Sequence, residues 1–156
     1  MVDSDFSYRT PVQEELIYLA DHLRPEDVRE LVCMTGPDIR AEVLRCGSNS
    51  DKCYACYYKG VIIAAFGVIP YNPIARWGII WMLATPEAGK HKLYTGKWTR
   101  RGVRAFLEDW EYLFNYVDAG NDETIKWLKW LGAKVHEPKP YGLYGNMYHL
   151  FEFRRD

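Results

Sequence analysis

The chain has 156 residues, 48% of them apolar and 15% aromatic, with a formal charge of -1. That length suits one domain whose core needs no staple, and the apolar content excludes a disordered chain. The balanced charge excludes recruitment of nucleic acid or an anionic membrane by bulk field, leaving only a local patch for such a partner.

The opening MVDSDFSYRT is acidic and polar and lacks the apolar segment of a secretory leader. Phe6-Ser-Tyr8 reads as a short first strand. Pro11 then opens VQEELIYLADHL, where Leu16, Leu19, Ala20 and Leu23 recur at helical spacing. A second helix starts at Pro25, with Glu26 and Asp27 in the first turn, where the dipole favours acids, and Gly36 as its stop. A short helix over Asp38–Arg45 precedes a polar loop, GSNSDK.

From Cys53 the pattern changes. CYACYY, the turn Lys59-Gly60 and VIIAAFGVI form a hairpin of β-branched and aromatic residues that ends at a proline. This last run is the longest apolar one, well short of the roughly 20 residues that span a bilayer, so no membrane partner is expected. Trp77–Ala84 is almost unbroken in apolar residues, the mark of a central strand covered on both faces. Pro86–Gly96 reads as a loop, and Trp98–Trp110 as a helix with Val103, Phe106, Leu107 and Trp110 on one face. Tyr112–Val117 is the next strand. Lys134–Glu137 and Tyr148–Phe153 supply two more around a Gly/Tyr/Pro-rich loop. The predicted order is β-α-α-β-β-β-α-β-α-β-β, in one undivided domain over residues 1–156.

The four cysteines are Cys33, Cys46, Cys53 and Cys56. Cys53-Tyr-Ala-Cys56 has the spacing of half a zinc site, but no second pair follows. In a strand those two positions point to opposite faces and cannot share one metal. Reduced thiols are expected, and no metal.

The stretch YVDAGNDETIKWLKWLGAKV, Tyr116 to Val135, is the most regular unit. Asn121 can cap a helix, with Asp122 and Glu123 in its first turn. Ile125, Leu128 and Leu131 give the apolar face, and Gly132 the left-handed stop. This motif and the element order resemble the GNAT N-acetyltransferases, with Asn121, Thr124, Trp127-Leu128 and Gly132-Ala133 at the motif positions. The tracts HLRPEDVREL, AAFGVIP, IIWMLAT and LFNYVDAGN are closer still to the acetyltransferase-like internal virion proteins of short-tailed phages. The resemblance implies an α+β domain with a central mixed, mostly antiparallel sheet of six to seven strands and helices on both faces.

It also implies a site. GNAT enzymes hold the acetyl-CoA pyrophosphate at the start of the helix after the fourth strand, on a Gln/Arg-x-x-Gly-x-Gly/Ala loop of bare N–H groups. LYTGKWTRRGV has Gly96 and Gly102 without that spacing. Lys97, Arg100, Arg101 and Arg104 crowd the start of the predicted helix, and Glu108, Asp109 and Glu111 crowd its end. That arrangement opposes the macrodipole, and a bound anion would relieve it. Lys97, Arg100, Arg101 and Asn121 are therefore the candidate cofactor-binding residues.

A GNAT enzyme further needs a base for the amine and usually a Tyr for the departing thiolate. Leu128 stands at the Tyr position, and Trp77–Ala84 carries neither carboxylate nor His. Glu87, His91 and Tyr94 are the remaining candidates for proton transfer. Trp81, Met82 and Tyr116 are large enough to plug the gap where a pantetheine arm would lie.

The leading expectation is accordingly a phage protein with degenerate catalytic motifs, internal to the virion or associated with assembly. Its partners would be other virion or assembly proteins, and its location the host cytoplasm during assembly or the virion, without secretion. Tyr141, Tyr144 and Met147 would form an exposed contact patch, with a homo-oligomer as a further expectation. The alternative is an active acyl-CoA-dependent N-acetyltransferase that uses acetyl-CoA on an amine. Four clustered bases would bind nucleic acid only weakly and in a salt-sensitive way, so such a partner is not expected.

Overall fold

A computed structural model describes residues 5–156; the first four residues of the polar opening segment lie outside it. The strands are β1 (Phe6–Arg9), β2 (Lys52–Tyr58), β3 (Val61–Asn72), β4 (Trp77–Ala84), β5 (Tyr112–Asp118), β6 (Lys134–Val135), β7 (Lys139–Tyr141) and β8 (Asn146–Arg154). The helices are α1 (Gln13–Asp21), α2 (Pro25–Thr35), α3 (Ile39–Asn49), α4 (Lys92–Asp109) and α5 (Asp122–Trp130). All strands join one sheet in the order β1-β2-β3-β4-β5-β8-β6, with β7 also on β8. Among the described residues only β4 and β5 run parallel. The mixed, mostly antiparallel sheet is as expected, with eight strands rather than six to seven.

The two faces carry separate cores. Phe66, Phe106, Leu113, Val117, Leu128 and Phe151 pack under α4 and α5. Leu19, Val43, Tyr57, Ala65, Trp81 and Leu83 pack under α1 and α3. Strand alternation sorts neighbours between the two. Cys56 lies in the first core and Cys53 against the second, so the opposed faces expected of that pair are present.

Several boundaries differ from the sequence reading. The helix expected over Asp38–Arg45 continues through Gly47-Ser48-Asn49, adding a third long helix to the order. Leu16 of α1 sits where a side chain at Gly47 would be, so this glycine serves a close helix crossing rather than a loop. β3 passes through Pro70 instead of stopping before it, with a register shift beside that residue where the ladder is already irregular. The Lys59-Gly60 turn has both residues at positive φ, as a two-residue hairpin requires. The segment expected as a loop over Pro86–Gly96 is a 3-10 turn, Pro86–His91, running straight into α4, which begins at Lys92 and not Trp98. Gly96 lies inside the helix because the rings of Trp127 and Trp130 close on it within about 3.3 Å of an added Cβ.

Candidate functional site

β4 and β5 pair at only three positions, Trp77 with Tyr112, Gly78 with Leu113 and Ile79 with Phe114. The next side chain wedges them apart. Asn115 Nδ2 donates to the Ile80 carbonyl at 2.7 Å, while its Oδ1 accepts from the Tyr116 N–H at 2.8 Å. One amide side chain thus satisfies both strands at the point where the ladder stops.

Beyond this apex the strands diverge around a cleft of about 1300 Å³ that reaches from the α4–α5 face to the α2–β7 face. The residues expected to plug it are its walls. The Trp81 indole is drawn under α3 by a hydrogen bond to Ser50 Oγ at 2.8 Å. Tyr116 stacks on Tyr141, ring centroids 3.7 Å apart. Met82 faces the first core and leaves the strand edge clear.

That edge has a specific chemistry. On it the Ile80 carbonyl is taken by Asn115, and the Ala84 N–H and carbonyl are taken by Asp27 Oδ2 and the Arg24 N–H, each at 2.9 Å. Backbone groups two residues apart share an edge, so the Met82 N–H and carbonyl point into the cleft with no strand partner. Across from them, Thr124 Oγ1 and Trp127 Nε1, one turn apart on α5, are buried without a hydrogen bond and line the same cleft. Unmatched buried polar atoms are costly, and several facing one cavity fit a polar ligand.

α2 spans the other mouth. Asp27 holds the end of β4 through the Ala84 N–H and pairs with Arg24 at 2.8 Å. One turn on, Glu30 Oε1 holds the end of β5, accepting from the Asp118 N–H at 3.1 Å and from Asn121 Nδ2 at 3.2 Å. The two strand ends are therefore kept at the width of one helical turn. Burial raises the Glu30 carboxyl to about 7, against the lowering effect of its two donors. Burial likewise pushes Asp27 up, opposed by Arg24.

These shifts predict a pH profile of stability. Glu30 is raised from 4.5 in the fold, so its contribution is full below 4.5 and lost as pH rises through about 7. Glu15 is lowered to about 2, chiefly by Arg9, so its contribution is full above 4.5 and lost as pH falls through about 2. From these groups the melting temperature peaks near pH 5. Scanning calorimetry should find the slope toward pH 8 flattened in Glu30→Gln and the slope toward pH 2 flattened in Glu15→Gln; unchanged slopes would contradict both.

The candidate residues separate into three places. Lys97, Arg100 and Arg101 line the outer end of the cleft. Because α4 begins at Lys92, they lie in its second and third turns, and the expected opposition to the macrodipole at the helix start does not arise. Arg100 lies over the Trp130 ring at 4.3 Å and Arg101 over Trp98 at 4.9 Å. Asn121 is fully engaged, capping the Thr124 N–H at 3.3 Å and donating to Glu30. Glu87, His91 and Tyr94 gather elsewhere, away from the cleft lining. Tyr94 stacks on Phe6 at 3.8 Å, and His91 sits against Tyr58 at 4.1 Å and Glu87 at 3.3 Å.

Sequence reasoning missed Glu30, Asn115 and the Gly89–Lys92 turn. Gly89 has open space around it and lines the cleft, just before the bare N–H groups of α4. Its signal was the GKHK run, hidden by reading Gly96 as a breaker. Gly102, which falls inside the expected helix and lacks the phosphate-loop spacing, admits the Phe66 ring, which would lie 2.0 Å from a Cβ there.

No protein-family model and no curated protein matches this chain. Solved structures do. The spermidine N-acetyltransferase SpeG from Vibrio cholerae, in complex with CoA and spermine, superposes with a TM-score of 0.71 at 13% identity, covering 98% of this chain and 97% of that one. RimL, a ribosomal alpha-N-protein acetyltransferase in complex with coenzyme A, gives a TM-score of 0.70 at 10% identity over 100% and 97%. A dodecameric SpeG from Vibrio cholerae gives 0.67 at 10% identity over 98% and 95%. The chain has the fold of the GNAT acetyltransferases, over its whole length.

Proposed function

We propose that the chain is an acyl-CoA-dependent N-acyltransferase acting on an amine. The observation that carries this is the open β4–β5 cleft with its bare Met82 edge. A chain bearing secondary amides, such as a pantetheine arm, can add to that edge as a short strand would. Thr124 Oγ1 and Trp127 Nε1 supply unused polar groups opposite it. Lys97, Arg100 and Arg101 give positive charge at the outer end for a polyphosphate, and the Gly89–Lys92 turn gives N–H groups at a helix start. The bound CoA thioester supplies an activated acyl group. The protein then has to orient the amine, exclude water and take up its proton. Leu128 lines the cleft with no proton to donate, so the departing sulfur must be protonated by another route.

Calorimetry with CoA tests this directly. Binding in the micromolar range is expected, weakened by at least about tenfold in Arg100→Glu/Arg101→Glu, since each lost charge contact is worth ~1 kcal/mol or more. No heat at millimolar CoA would remove the reading. Assembly into homo-oligomers, as in the dodecameric neighbour, belongs to the same proposal and is read by light scattering.

A second reading, a virion-internal or assembly component, is favoured by the exposed cluster Tyr141, Leu143, Tyr144 and Met147 and by the missing hydroxyl at Leu128. It predicts that CoA leaves the melting temperature unchanged, while substitution of Tyr144 and Met147 by Ser abolishes incorporation into particles.

A further inference from the structure

We propose that Glu30 is the proton acceptor for a cationic amine, bound in a subsite between α2, the end of β5 and the turn after β7; this rests on the acyltransferase reading above. Its geometry is that of a held base. Oε1 is pinned by the Asp118 N–H at 3.1 Å and Asn121 Nδ2 at 3.2 Å. Oε2 accepts no hydrogen bond from the described residues, and Glu30 lines the cleft from its α2 wall, beside the N-terminus of α5. A carboxylate fixed at one oxygen and bare at the other can accept a proton without moving.

The surroundings select a cation. Asp27 lies one turn back on α2, and Asp118 closes β5. The nearby guanidinium groups are committed, Arg24 to Asp27 at 2.8 Å and Arg29 toward Asp118 at 3.6 Å. The Tyr148 hydroxyl of β8 is buried without a hydrogen-bond partner among the described residues; burial raises it most, and the fields of Cys33, Asp118 and Glu30 add to that. The stacked rings of Tyr116 and Tyr141 line the same cleft, and their outer faces attract an ammonium. Burial also holds the Glu30 carboxyl near 7, where it can both accept and release a proton at neutral pH.

The step balances. An ammonium gives one proton to Glu30 Oε2, and the freed lone pair forms the C–N bond at the thioester carbon. The C–S bond breaks, and the second nitrogen proton ends on the departing sulfur. Glu30 then returns its proton to water.

The test uses the full chain labelled with carboxyl 13C in its glutamates, with spermidine as the cationic probe and acetamide as a neutral control. One resonance should titrate near pH 7 and be absent in Glu30→Gln. Spermidine should shift it and lower its midpoint, because a neighbouring cation favours the charged carboxylate; acetamide should do neither. Calorimetric binding of spermidine at pH 7.5 should weaken at least about tenfold in Glu30→Gln with CoA binding unchanged. Acetyl transfer to spermidine should fall by about 100-fold or more and lose its alkaline-rising limb. Gln retains the oxygen that accepts from Asp118, so the variant keeps the α2 tether. If every glutamate titrates near the ordinary value, or spermidine leaves the Glu30 resonance in place, the proposal is overturned. CoA failing to bind while spermidine still moves the resonance would remove the acyltransferase reading and the proton-transfer role with it, leaving an amine-binding carboxylate alone.

Discussion

Replacing Phe66 by Ala is expected to lower the unfolding free energy by about 3–5 kcal/mol in urea titration, the usual cost of emptying an aromatic site in a packed core. Phe66 is 1% exposed and meets Phe106 edge-on with centroids 5.8 Å apart. Its ring also fills the notch at Gly102, where an added Cβ would lie 2.0 Å from it. That contact makes the two positions interdependent. Gly102→Ala alone should be destabilising by roughly 1–3 kcal/mol, since the ring must leave its rotamer or α4 must lift. In a Phe66→Ala background the same change should cost little, because the methyl enters space the ring has vacated. A cycle in which the two effects simply add would show that Gly102 is not packed on Phe66.

Asp27→Ala should cost about 3 kcal/mol and disable the cleft. Its carboxylate is 4% exposed as a residue and satisfies both Arg24 and the Ala84 N–H. Truncation leaves a half-buried guanidinium without its partner and a strand-end amide without an acceptor, two of the larger single-residue penalties known. The Arg24 side chain, 24% exposed, keeps some contact with water, which moderates the loss. Asp27→Asn keeps the acceptor for Ala84 and should fall between wild type and Ala. Because Asp27 and Glu30 together set the separation of the strand ends, CoA affinity should drop in Asp27→Ala even at temperatures where the variant remains folded. Unchanged affinity with lowered stability would limit α2 to a structural role.

Legibility differed sharply between local and long-range features. The α5 unit was readable residue by residue, since an Asn cap, an i, i+3 apolar face and a Gly stop act within one turn of chain. Its cap, its face through Leu128 and the positive φ of Gly132 are all present. The apolar run of β4 and the opposed faces of Cys53 and Cys56 followed from strand alternation in the same local way. Where glycine was concerned, local reading failed. Gly47 and Gly96 look like breakers in a sequence, yet each lies in a helix because a partner element presses on it: Leu16 on the first, two tryptophans on the second.

The candidate site shows the same division. Leu128 at the hydroxyl position and the absence of ionisable side chains along Trp77–Ala84 were visible beforehand, and they directed attention to the loop residues Glu87, His91 and Tyr94. Glu30 gave no such sign. It is an ordinary helix glutamate until the chain brings it against Asp118, 88 residues away, and removes it from water. Asn115 is an ordinary strand residue until it meets Ile80, 35 positions earlier. The α5 unit, the course of the apolar strands and the faces they present depend on neighbours along the chain and were legible there. The width of the cleft, its bare edge and the protonation of its carboxylate depend on desolvation and on pairings between distant segments, and only the packed fold could decide them.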